Sequence, residues 1–185
     1  MRLFIAIELP QTLQNEIAHF IEPLRKQVRG ARWIPLQNLH LTLKFLGEVP
    51  EIDILKIKNC MEEVIREENF QPFKLQFSKI GGFPTLKSPR VIWLGVSIGE
   101  EVLSKITSSL EGSLELLGYP KKDRPYQAHL SLGKVKDPKQ FWGVEKFELI
   151  HKTSFAGFSV GVISLLQSFL GRDGASYEKV YEVKL

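Results

Sequence analysis

Two segments about ninety residues apart share one pattern, and together they constrain the fold of this 185-residue chain more than any other feature. The first is HLTLKFLG, running from His40 to Gly47, and the second is HLSLGK, from His129 to Lys134. Each reads histidine, leucine, hydroxyl residue, leucine. On a β-strand successive side chains point to opposite faces. His40, Thr42 and Lys44 are therefore expected on one face, with Leu41, Leu43 and Phe45 on the other. His129 and Ser131 should likewise share a face opposite Leu130 and Leu132. The leucines can pack against helices while histidine and hydroxyl are presented together. If the two strands are neighbours, two imidazoles and two hydroxyls converge on one cleft.

That set of groups suits a phosphate diester. Imidazole titrates near neutrality, so one ring can take a proton from water while another gives one to a leaving oxygen. Two hydroxyls can hold the non-bridging phosphate oxygens and stabilise developing charge. No metal and no cofactor is required. Spacing alone does not say which histidine is the acid. Of the remaining two histidines, His19 falls in a predicted helix and His151 near a strand start. Neither has a hydroxyl two residues on, so both are expected to be structural or surface residues.

Around these segments the chain reads as strands and helices in alternation. Residues 2–8 form a first strand. Gln11 to about Val28 has apolar residues at helical spacing, with Pro23 expected to end or kink the helix. Trp33 begins a short extended piece. Ile52 to Glu67 is a helix with Ile54, Leu55, Ile57, Met61, Val64 and Ile65 as its stripe. Phe73, Leu75 and Phe77 alternate in a strand. Residues 81–90, GGFPTLKSPR, read as a Gly/Pro-rich basic loop. Residues 91–96 are a buried strand, Glu100 to Leu117 a helix, and 119–127 a polar basic loop. Asp137 to about Phe147 reads as a helix with Pro138 in its first turn. Strands at about 153–158, 161–169 and 177–184 finish the chain, the last two joined by a Gly171–Gly174 turn. The fold class expected is α+β: a single domain over 1–185, made of two pseudo-symmetric lobes.

Further substrate contacts are candidates by position: Lys44 on the His40 face, Arg90 in the basic loop, Tyr126 beside Lys121, Lys122 and Arg124, and Lys134 after the second motif. Strict alternation places Lys134 on the leucine face, so it reaches the cleft only through a bulge or a long side-chain reach. Phe4 and Phe45 read as core. Walker, GxGxxG, HExxH and Cys/His metal patterns are absent. The single cysteine, Cys60, falls in a helical stripe and excludes an intrachain disulfide. The net charge of +4 is a mild basic bias, compatible with a polyanionic partner. No apolar run is long enough for a bilayer-spanning helix, and the N-terminus does not read as a signal peptide.

HLTLKFLGEV at 40–49 resembles the first motif of the 2H phosphoesterases, specifically the LigT-like RNA 2′,3′-cyclic phosphodiesterases, also called 2′-5′ RNA ligases. The opening RLFIAIELP, the Trp33 segment, PRVIWLGV at 89–96 and LLQSFLGRDGASYEKVYE at 165–182 are similar to the same family, so the resemblance spans nearly the whole chain. It implies a two-lobed 2H phosphoesterase fold with mostly antiparallel sheets lining a central cleft and helices outside. It also implies metal-independent opening of an RNA-terminal 2′,3′-cyclic phosphate to a 2′-phosphomonoester. By the same resemblance His40 is the proton donor, His129 the proton acceptor, and Thr42 and Ser131 hold the phosphate. The second motif departs from the family's usual proline followed by HLTLAR: Ala128, Ser131, Gly133 and Lys134 stand in place of proline, threonine, alanine and arginine. Lysine keeps the charge but lacks the bidentate fork. Reversible 2′-5′ ligation, small cyclic nucleotides as substrates, and an RNA- or nucleotide-binding module without turnover are the alternatives. The partner expected is RNA with a 2′,3′-cyclic phosphate end or a related nucleotide, met by a cytoplasmic monomer away from membranes.

Overall fold

The computed structural model describes residues 1–143, 147, 154–171 and 174–185. Nine strands and three α-helices are described: β1 (Arg2–Glu8), α1 (Gln11–Gln27), β2 (Ala31–Trp33), β3 (His40–Glu48), α2 (Ile54–Glu67), β4 (Phe73–Thr85), β5 (Ser88–Ile98), α3 (Glu100–Leu116), β6 (His129–Val135), β7 (Phe158–Val160), β8 (Val162–Gly171) and β9 (Gly174–Lys184). The strands form one sheet in the order β7-β4-β5-β6-β3-β1-β8-β9, with β2 paired to β6 off that path. Every pairing in it is antiparallel. The order is mirrored about the β6–β3 seam: β5 flanks one motif strand as β1 flanks the other, and β4 and β8 lie next out.

The helices cover the face that the leucines choose. Leu13, Ile17, Ile21 and Leu24 of α1, Ile57, Met61 and Val64 of α2, and Leu103, Ile106 and Leu110 of α3 join Leu3, Ile5, Ile7, Leu41, Leu43, Leu130 and Leu132 in one buried cluster. Burying each such side chain is worth roughly 1.5–3 kcal/mol, so this face holds the sheet in register. The other face is left for the site. No helix among the described residues is long and apolar enough to cross a membrane.

Several sequence expectations are corrected here. α1 runs straight through Pro23 to Gln27. Pro23 is exposed while Ile21 and Leu24 are buried on either side of it. Pro23 leaves the His19 carbonyl without its helical donor at an exposed residue, and core packing holds the last turn in place. The Gly/Pro-rich segment 81–90 is not a loop but the end of a long β4–β5 hairpin, turning between Thr85 and Ser88. A Cβ on Gly81 would fall 2.2 Å from the Trp93 ring, so the glycine makes room for the indole rather than breaking the strand. Pro84 and Pro89 oppose one another near the turn. Between Asp137 and Gly143 only the turn Pro138–Gln140 is helical, and it is 3-10; residues 144–146 lie outside the described set. The strand expected at 153–158 is instead β7 at Phe158–Val160, because the Ala156 N–H bonds the Glu16 carboxylate rather than a strand. Leu55 and Ile52, read as helix stripe and helix start, are 66% and 79% exposed. Residues 172–173 of the final turn and His151 lie outside the described residues.

Lys44 is fully buried, with its Nζ 2.6 Å from Glu111 Oε2 on α3 and 2.9 Å from the Pro120 carbonyl. This pair ties β3 to α3 and to the segment leading into β6. Removing one partner strands the other charge, which typically costs several kcal/mol. Glu111→Ala is expected to lose about 3 kcal/mol of stability, read as a lower urea midpoint, and the double variant Lys44→Met/Glu111→Leu to recover most of it.

Candidate active site

Each motif strand carries a bulge at the same point, and the bulges decide what faces the cleft. Against β1, Ile5 pairs with Lys44 and Ala6 with Thr42, so Leu43 is an extra residue. Against β5, Ile92 pairs with Gly133 and Trp93 with Ser131, so Leu132 is an extra residue. A bulge resets the alternation beyond it. Leu43 and Lys44 therefore both point to the helix side; in the second motif Leu132 does so, and Gly133, without a side chain, takes the place of Lys44. Phe45 and Lys134 turn to the cleft, which both of them line.

This corrects two expectations from strict alternation: Lys44 does not share the His40 face, and Phe45, 58% exposed, is not core. Lys134 reaches the cleft by the bulge. Phe4 is buried but also lines the cleft floor, against His40 at 4.8 Å between ring centroids.

The two motif strands meet at one antiparallel pair, Leu41 opposite Leu130. Stepping one residue either way in that register sets His40 across from Ser131 and Thr42 across from His129. His40, Thr42, His129 and Ser131 all line one cleft of about 790 Å³. The histidines are held alike. His40 Nδ1 is 2.8 Å from the Asn38 carbonyl and His129 Nδ1 is 2.7 Å from the Gln127 carbonyl. A carbonyl oxygen only accepts, so Nδ1 carries the proton in both rings and Nε2 is left for the cleft. Aromatic rings fix the planes: Tyr177 meets His40 edge-on at 5.0 Å, and Phe83 meets His129 edge-on at 4.9 Å.

The surroundings differ in charge. Burial is the largest influence on both histidines and pushes both below the ordinary 6.5. For His40 the bond to the Asn38 carbonyl and the Glu8 carboxylate act upward, while Lys134 acts downward. For His129 the bond to the Gln127 carbonyl acts upward and Lys122 downward, and no carboxylate among the described residues acts on it. Glu8 is directly opposite His40 in the β1–β3 register. Its carboxylate accepts from Ser164 Oγ at 2.7 Å and pairs with Lys179 at 2.8 Å. Lys122 lies 5.2 Å from the centre of the Phe45 ring, at the rim of the site.

Two further sequence candidates, besides Lys44, lie off the cleft. Arg90 is exposed near the start of β5 and does not line the cleft. Tyr126 packs against the core and its hydroxyl donates to the Thr42 carbonyl at 3.2 Å, so it braces the first motif from behind instead of offering a stacking face. Sequence reading missed Arg2, Glu8, Trp33, Asn38 and Tyr177. Period-two alternation from Phe4 would have put Arg2 and Glu8 on its face, but nothing local links β9 to β3, so Tyr177 had no signal.

A curved antiparallel sheet with histidine–hydroxyl pairs on both sides of its seam is the frame of a two-histidine phosphoesterase. Comparison with known proteins agrees. The family described as LigT like phosphoesterase matches residues 7–93. A protein of Archaeoglobus fulgidus named RNA 2′,3′-cyclic phosphodiesterase is 36% identical, with 98% of this chain and 100% of that protein covered. One of Methanocaldococcus jannaschii with the same name is 35% identical, with 98% and 99% covered. The crystal structure of a Thermus thermophilus protein superposes with a TM-score of 0.79 at 25% identity, covering 100% of this chain and 98% of that one. The chain belongs to the LigT-like phosphoesterases of the 2H class.

The tethers make a spectroscopic prediction. Above their titration both rings should show the Nδ1–H tautomer in ¹⁵N NMR, the less common form of free imidazole, and both should titrate below 6.5. With folded pKa values below the unfolded value, the unfolded chain binds more protons in the window just under 6.5. Stability should therefore fall as pH drops through that window and level off below the folded values.

Proposed function

We propose that this protein hydrolyses the 2′,3′-cyclic phosphate at the end of an RNA to a 2′-phosphomonoester. The observation that carries the reading is the pair of histidines with Nδ1 tied to backbone and Nε2 free, each across the seam from the other strand's hydroxyl. The names of the relatives support the substrate class.

In this reading His129, whose charged surroundings among the described residues include a lysine and no carboxylate, is neutral and acts as base. Its Nε2 takes a proton from water as the water oxygen bonds to phosphorus. His40, which the opposing Glu8 carboxylate favours in its charged form, acts as acid when its ring carries the second proton. Its Nε2–H passes to O3′ as the P–O3′ bond breaks, leaving a 2′-phosphate and a free 3′-hydroxyl. Thr42 and Ser131 donate to the non-bridging oxygens and hold phosphorus in line between the two rings. Lys134, brought to the cleft by its bulge, adds positive charge for the dianionic product. Both histidines and both hydroxyls come from the two mirrored halves of the sheet, so the reacting groups need no second copy, in keeping with a two-lobed monomer. The lone cysteine, Cys60, is a buried free thiol, compatible with a reducing cytoplasm.

The test is incubation, with EDTA present, of an RNA ending in a 2′,3′-cyclic phosphate, with identification of the terminal phosphate formed. His40→Ala and His129→Ala should each lose about 10²–10⁴-fold in rate with the fold intact. A well-folded wild type that binds the RNA without opening the ring would instead mark a binding module.

The assignment of acid and base is tested by pH. Removing the carboxylate at Glu8 lowers the pKa of His40, so Glu8→Gln should move the alkaline limb of the kcat/KM profile to lower pH. Removing the cation at Lys122 raises the pKa of His129, so Lys122→Gln should move the acid limb upward. Exchanged roles would instead put the Glu8→Gln shift on the acid limb and the Lys122→Gln shift on the alkaline limb.

A further inference from the structure

The two histidines are tethered alike, but only one tether is itself held. Each imidazole donates Nδ1–H to the carbonyl of the residue two positions before it, Asn38 for His40 and Gln127 for His129. Asn38 ends a short 3-10 turn, Leu36–Asn38, and its side-chain Nδ2 donates to the Ala175 carbonyl of β9 at 2.6 Å. A carbonyl oxygen only accepts, so the amide nitrogen is the atom that faces Ala175. Gln127 is exposed, and its side chain makes no hydrogen bond among the described residues. The β8–β9 hairpin reaches His40 in two further ways. Tyr177 of β9 meets the His40 ring edge-on and also packs on Phe4, with ring centroids 5.1 Å apart. Glu8, opposite His40 on β1, accepts from Ser164 of β8 and pairs with Lys179 of β9. His129 has only the rings of Phe83 and Trp93 from the β4–β5 hairpin beside it. Asn38, Ala175 and Tyr177 line the cleft together with Arg2 and Phe4.

We infer that Asn38 is a positioning residue for His40: its side chain, anchored on Ala175, fixes the main-chain carbonyl that receives Nδ1–H, so that the seating of the β8–β9 hairpin aims Nε2 of His40 into the cleft. The inference rests on the proposed function for the step that His40 performs, and adds what holds that ring. A single 3-10 turn has poor hydrogen-bond geometry and little rigidity of its own. Its last peptide plane can rotate, and the carbonyl would carry the imidazole with it. A side-chain bond from the same residue to a strand of the outer hairpin removes that freedom. The demand on the ring is strict, because a misplacement of about 1 Å can cost about 100-fold in rate. His129 follows β6 directly, without such an anchor, so the two rings depend on different parts of the fold.

The experiment has a spectroscopic arm on the free protein and a kinetic arm. Imidazole ¹⁵N NMR above the titration range compares wild type with Asn38→Ala, with Asn38→Leu, which keeps bulk and gives up only the donor, and with Gln127→Ala. In both Asn38 variants His40 should change from the Nδ1–H tautomer to a mixture, while His129 keeps its signals and thereby reports an intact fold. Gln127→Ala should leave both rings as they are, since only its main chain is used. On RNA with a 2′,3′-cyclic phosphate end, Asn38→Ala should lower kcat about tenfold with KM within about twofold. A residue that grips the substrate would raise KM instead, and that result overturns the positioning role. In the His40→Ala background Asn38→Ala should cost less than about twofold more, because its effect passes through the ring. Full additivity there, an unchanged His40 tautomer in both folded Asn38 variants, loss of the tautomer in both rings, or an equal effect of Gln127→Ala on His129 also overturns it. A His40-specific tautomer change in a protein whose wild type opens no cyclic phosphate would sink the proposed hydrolysis and leave the anchor standing.

Discussion

The single pairing of Leu41 with Leu130 is the contact on which the site depends. It is where the two motif strands touch, and both leucines are fully buried against the helices. A shift by one residue in either strand would turn a histidine and a hydroxyl into the core and a leucine into the cleft. The burial that stabilises the seam therefore also sets the spacing of the four polar groups of the proposed site. Beyond this pair the strands part, and the segments preceding the motifs fill the gaps: β2 along β6, and the 119–127 stretch along β3.

The two bulges give the seam its chemistry. Without them Lys44 would enter the cleft and Lys134 would enter the core. With them, the same short pattern delivers a buried lysine on one side and a cleft lysine on the other. In the first motif the redirected lysine is neutralised by Glu111; in the second the equivalent place is Gly133, and the charge falls one residue later, where the substrate would lie. The mirrored backbone thus carries unlike charges. Glu8 faces one histidine while Gly95 holds the matching place opposite the other, and Lys122 lies near the second ring. Two chemically identical imidazoles are thereby given different surroundings, as the proposed division into acid and base requires.

Much of the fold was legible along the chain because it is local. The helical stripes of α1, α2 and α3, the period-two motif strands and the closing hairpin all follow from spacing. The failures share a cause. Pro23 and the Gly/Pro run at 81–90 carry strong local signals that tertiary contacts override: buried Ile21 and Leu24 hold α1 together, and the Trp93 ring needs the space above Gly81. Alternation failed at Lys44, Phe45 and Lys134 because a bulge is defined by the partner strand, and one strand's sequence does not contain its partner's register.

The sequence by itself determined the two histidine–hydroxyl pairs, the leucines that bury their reverse faces, and the family to which the whole pattern belongs. These are properties of residue type and spacing within a few positions. Only the tertiary structure decided that the pairs meet at one seam, that Nδ1 of each ring is engaged and Nε2 is not, that Arg90 and Tyr126 stand off the cleft, and that the cleft extends toward Arg2 and the β8–β9 hairpin. Most of those outcomes depend on strands that pair across about ninety residues of chain or more. Their physical cause is packing: burying the leucine faces selects one register, and that register places every polar group on the other side.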